Sequence, residues 1–153
     1  MGISQLEQAM GTLRLGLAEI RNKEQQLDDQ ISQFQTQWRR LPRQVVYGQT
    51  SLELSLTAMG EIEERLQDAV DNRRRLLEIK KTATQELEAL QLLKLVDEAR
   101  SQLASLKKSA TPDDEDAQAE IRRLEEFIAA SSRQAEQAIT ERFQERTNGV
   151  APL

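Results

Sequence analysis

Ile3, Leu6, Met10, Leu13, Leu17, Ile20, Glu24, Leu27, Ile31, Phe34, Trp38 and Leu41 recur at alternating spacings of three and four residues, and Glu24 alone among them is not apolar. A seven-residue repeat of this kind collects its members on one stripe of a long helix, and that stripe is buried only when another helix lies along it. The pattern predicts a first helix over about residues 4–41. Ser4 and Glu7 have the spacing of a capping box, and Pro42, which disfavours helical geometry at Leu41 and carries no donor, is expected to end the helix. Gly11 and Gly16 fall inside it, each about 1 kcal/mol less favourable than Ala, which predicts either a loosely held N-terminal third, the favoured reading, or a neighbour packed close against it.

After a connection containing Val45, Val46, Tyr47 and Gly48, Thr50 and Glu53 suggest a second capping box and a helix over about 51–108. Its stripe reads Leu52, Leu56, Met59, Ile62, Leu66, Ala69, Arg73, Leu76, Lys80, Ala83, Leu87 and Leu90, then Leu93, Val96, Ala99, Leu103 and Leu106. The run Ser109–Asp116 is a sharper turn, with Thr111 read as N-cap, Pro112 as the first helical residue and Asp113–Asp116 favouring the positive helix end. A third helix over about 112–147 carries Ala117, Ile121, Leu124, Ile128, Ala135, Ile139 and Phe143, and closes on Arg142, Arg146 and Gly149. Residues 1–149 thus read as one elongated helical coiled-coil domain, with 150–153 a frayed tail.

Short connections turn neighbouring helices antiparallel. The expected architecture is an all-α, elongated antiparallel coiled-coil rod of three helices joined by two short turns. Folding at Pro42 places residue 41 near 50 and residue 3 near 88; folding at the second turn places 113 near 108 and 147 near 74. Helix 1 then ends before Leu90, Leu92, Leu93, Leu95 and Val96, which are apolar around more of the helix than one neighbour covers. These five residues are therefore expected to contact another chain. The plainer alternative is that helix 1 is displaced lengthwise and covers them itself.

Composition narrows the function. Of 153 residues, 38% are apolar, 3% aromatic and 31% charged, which suits narrow helix-on-helix seams better than a thick core. The net charge of −5 lies in residues 109–153, where ten acids face five bases; the rest of the chain is balanced. No positive surplus draws the chain to nucleic acid, and an anionic membrane is an unlikely partner for the same reason. With no His and no Cys, the commonest general base, the thiol nucleophile and most transition-metal ligand sets are missing. No calcium loop or phosphate-binding loop occurs. The expectation is a non-enzyme without cofactor or metal. Absent cysteines, a leader-free start and no long apolar run predict a soluble, cytoplasmic protein.

Two further clusters stand out. The first turn gathers Trp38, Arg39, Arg40, Arg43 and Tyr47, the residue types most enriched at binding hot spots. The plainer account has Trp38 continue the seam, Tyr47 plug the open hairpin end and the arginines face solvent. The second cluster is Arg73–Arg74–Arg75 with Lys80 and Lys81. Arg73 and Lys80 fall on the seam and, with Glu24, are candidates for fixing register. Asp71 and Glu78 are placed to neutralise part of this charge locally. The functional expectation is a scaffold or assembly subunit joining protein partners, in a homo- or hetero-oligomer, through coiled-coil seams. The alternatives are a chaperone-like adaptor clamping a client helix and, more remotely, an amphipathic membrane-surface rod.

Overall fold

A computed structural model describes residues 2–148, with side chains described for all of these except Ile3 and residues 139–148. It contains three helices, α1 (Ile3–Val46), α2 (Leu52–Ser109) and α3 (Glu115–Asn148), and no strand among the described residues. The all-α, three-helix expectation holds. Gly149 and the tail at 150–153 lie outside the described residues, as do the side chains of Ile139, Arg142, Phe143 and Arg146.

The helix ends differ from expectation in instructive ways. Helix α1 passes through Pro42 and ends at Val46. A proline this near a C-terminus removes only its own bond to the carbonyl four residues back, so the last turn survives it. Termination falls instead to Gly48, whose φ of 71° is left-handed. The Gln49 amide donates to the Gln44 carbonyl at 2.8 Å and the Gly48 amide to the Val45 carbonyl at 3.0 Å, the paired bonds of a Schellman cap.

Helix α2 is capped by Ser51, whose Oγ accepts from the Leu54 amide at 3.2 Å, so Thr50 is not the cap. Helix α3 is capped by Asp114, whose carboxylate accepts from the Ala117 amide at 3.2 Å. Thr111 and Pro112 belong to a preceding turn closed by the Asp114 amide on the Thr111 carbonyl at 3.2 Å, with Pro112 at the position where its fixed φ fits. At the other end of the chain Ser4 lies within α1, which begins one residue earlier, so the Ser4–Glu7 capping box is not formed.

The chain divides into two compact units, one of Met1–Arg14 with Gln85–Leu153, the other of Leu15–Thr84. The second, here the hairpin unit, pairs α1 with the first part of α2. Trp38 meets Glu63, Asp28 meets Arg73 and Glu24 meets Lys80, so the two segments run in opposite directions. Two helices bury one stripe each. Leu17, Leu27 and Ala69 are buried, whereas Ile20, Ile31, Phe34, Trp38, Leu41, Ile62, Leu66 and Leu76 are half-buried.

The other unit packs segments of all three helices and has the fuller core: Leu6, Met10, Ala89, Val96, Ala99, Ile121, Leu124 and Ala135 are buried. Several of its buried positions are small: Ala89, Ala99, Ser131 and Ala135. Glu7 pairs with Lys94 at 3.5 Å, and Lys107 with Glu125 at 3.1 Å. The register expected from a fold at Pro42 is therefore corrected. Residue 7, not a residue before the start of the chain, stands opposite 94, because α1 continues past the proline. Likewise Lys107 faces Glu125 rather than the acidic run 113–116, of which Asp114 serves as a cap.

Candidate functional site

The displaced register changes what the cluster at 90–96 means. The premise that helix 1 ends short of it is overturned by the Glu7–Lys94 pair and by the burial of Leu6 and Met10 in the same unit. Val96 is 2% exposed, Leu90, Leu92 and Leu93 are half-buried, and only Leu95 keeps half its surface in water. The chain's own helices thus already cover most of this cluster. Leu95 and Phe127 edge a shallow groove that also takes in Ala99, Gln102, Arg123 and Leu124.

The three polar seam residues come together in the hairpin unit. Glu24 accepts from Lys80 at 3.0 Å and lies 3.7 Å from Arg73, which in turn donates to Asp28 at 2.6 Å. Side chains of the three are 20–37% exposed, so the cluster is neither fully solvated nor buried. Ion pairs in this setting contribute modestly to stability; their larger effect is to penalise registers that separate them. Of the neighbouring bases, Arg74 pairs with Asp71 at 3.8 Å, while Arg75 donates to the uncharged Asn72 side chain at 3.1 Å, so local neutralisation reaches Arg74 alone of these two and through a different partner than the four-residue spacing suggested.

The end of the hairpin unit is where apolar surface remains uncovered. Val46 is 79% exposed, Tyr47 77%, Leu52 62%, Leu54 68% and Leu56 60%. Residues 46–56 carry a single charge, Glu53. Tyr47 does not plug the hairpin, as the plainer account had it; the Schellman turn sends it outward. Trp38 does keep to the seam, half-buried, and its indole donates to Glu63 at 3.2 Å. Arg39, Arg40 and Arg43 are exposed.

The heptad pattern puts Leu52 and Leu56 on the stripe, yet both are exposed, as is Leu54. The signal was present. Leucines two residues apart cannot share one face of a helix with 3.6 residues per turn, so some of them must point away from any single neighbour. The position that points inward is Ser55, 2% exposed, and its Oγ has no hydrogen-bond partner among the described residues. A buried hydroxyl left this way costs about 1–3 kcal/mol, and with its apolar neighbours uncovered it makes the hairpin end a weakly satisfied part of the fold.

Among the described residues no three of His, Cys, Asp and Glu gather as a metal site, and no helix is long and apolar enough to cross a membrane. No protein-family model, no curated protein and no solved structure matches this chain.

Proposed function

We propose that this chain is a non-catalytic helical scaffold whose coiled-coil-like seams are satisfied within the chain and whose assembly surface is the end of the hairpin unit. One observation carries the reading: five large apolar side chains between Val46 and Leu56 are each at least 60% exposed, whereas the next stripe positions, Leu41 and Met59, are half-buried. Single exposed apolar residues are ordinary on any protein, but five within one eleven-residue stretch at the end of a hairpin exceed that background and favour a protein contact. Tyr47 and the three nearby arginines belong to the residue types that anchor such contacts. With no His and no Cys, the commonest general base and the thiol nucleophile are missing, and the lack of cysteine suits a reducing, cytoplasmic setting.

The reading is tested by light scattering on the whole chain over a concentration series. Wild type should gain mass in the micromolar range, and a Val46→Ser, Tyr47→Ser, Leu54→Ser variant should lose that gain while keeping its helical circular dichroism. Equal masses for the two proteins at every concentration contradict it. A second reading, an adaptor that clamps one client helix, draws on the groove edged by Leu95 and Phe127, which are 50% and 40% exposed. It requires substitution at those two positions, rather than at the hairpin end, to abolish partner binding.

A further inference from the structure

The charged residues beside the apolar hairpin end are sorted by sign onto two different helix faces. Arg39, Arg40 and Arg43 lie within about 100° of arc on α1, on the side away from its buried stripe. Glu53, Glu61 and Glu64 lie within a similar arc on α2, again away from the seam. All six side chains are exposed, and none makes an ion pair or side-chain hydrogen bond among the described residues. Asp68 continues the acidic face by one more turn, and Arg65 lies at its edge.

The two faces cannot meet within one chain, because each points outward from its own helix. They do stand at the same height. The Trp38–Glu63 hydrogen bond of 3.2 Å sets Arg39 and Arg40 level with the stretch Glu61–Glu64. Each face also carries one of the uncovered apolar side chains: Val46, 79% exposed, falls beside Arg39 on α1, and Leu54, 68% exposed, falls beside Glu61 on α2. The same pairing direction brings Val46 close to the height of Leu54.

We propose that the partner is a second copy of this chain, with the Arg39, Arg40, Arg43 and Val46 face of one hairpin unit docking on the Glu53, Glu61, Glu64 and Leu54 face of the next. This rests on the scaffold reading and names its partner. Two hairpin units set side by side with their ends level match opposite charges and bring the two apolar residues together without any lengthwise shift. An anionic membrane or an acidic peptide suits the arginine face alone and leaves the acidic face without a role. The contact joins two different faces, so it does not close on a two-fold axis, and it builds rings or open rows of chains.

The test uses full-length protein in three forms: wild type, a triple Arg39→Glu, Arg40→Glu, Arg43→Glu variant, and a triple Glu53→Arg, Glu61→Arg, Glu64→Arg variant. All six positions are exposed, and unchanged helical circular dichroism checks folding. Wild type should form species beyond the dimer by light scattering at about 50 mM salt, and about 500 mM salt should shrink them. Each triple variant alone should associate roughly ten-fold or more weakly. An equimolar mixture of the two variants should recover assembly, since one offers two acidic faces and the other two basic ones.

Wild-type assembly that survives both reversals overturns this pairing but leaves the scaffold reading standing, and so does failure of the mixture to recover. A wild type that stays monomeric throughout overturns both. Arginine-dependent co-sedimentation of a monomer with phosphatidylserine vesicles overturns the pairing in favour of a membrane surface.

Discussion

The ammonium of Lys80 lies 3.0 Å from the carboxylate of Glu24, across the two helices of the hairpin unit. Each of these residues interrupts an otherwise apolar stripe, and each is tolerated because the other stands opposite. Arg73 and Asp28 extend the cluster along the same edge. A one-turn slip in one direction would put Glu24 against Leu76, Lys80 against Ile20 and Arg73 against Leu27. The register is thereby held by polar residues that add little to stability in the correct alignment.

Charge reversal tests that role. Glu24→Lys sets three cations together and is expected to lower stability by about 1–2 kcal/mol, read from urea unfolding. Adding Lys80→Glu should recover at least half of the loss, because the pair is re-formed with opposite polarity. If the double variant shows only the sum of the two single losses, the residues are uncoupled and the register role falls.

The caps give a second prediction, and it discriminates between adjacent residues. Ser51→Ala and Asp114→Ala each remove an acceptor from a helix N-terminal amide and should cost about 1 kcal/mol. Thr50→Ala and Thr111→Ala should change stability by only a few tenths, since neither side chain makes that bond. The reverse ranking in thermal unfolding would place both helix starts where the sequence alone suggested.

Glycines provide the third. A methyl group added at Gly11 or Gly16 meets nothing within 4 Å, so neither glycine is there to admit a close neighbour. Gly16→Ala should stabilise the chain by up to about 1 kcal/mol through helix propensity and a less flexible unfolded state. Gly48→Ala should destabilise it by about 1 kcal/mol, because the Schellman turn holds Gly48 at a φ of 71°. Opposite signs from two Gly→Ala changes are the expected denaturation result; like signs would contradict it.

Much of the fold was legible because seam periodicity is a strong, redundant signal. From Leu6 to Leu41 and from Met59 to Leu90, the described stripe positions are buried or half-buried. The polar trio was legible for a related reason: charged residues on an apolar stripe have few partners other than one another. The turns were less so, since Pro42 carries a strong local stop signal that a helix near its end can absorb. That error propagates. Each residue by which a hairpin turn moves along the chain shifts the facing residue by two, so a modest misplacement at Pro42 became an offset of roughly two to three helical turns opposite Lys94. Which apolar residues stay uncovered depends on that offset. The cluster at 90–96 therefore looked exposed, and the end at 46–56 did not.

The most direct test of assembly through the hairpin end uses the chain's lack of cysteine. A Gln49→Cys variant places one label site in the exposed turn, and two batches carry a donor and an acceptor dye. Mixing them at micromolar concentration should give energy transfer between chains that grows with concentration and disappears when Leu54→Glu is added to both. Interchain assembly detected by light scattering with no transfer between the Gln49→Cys labels would contradict the account.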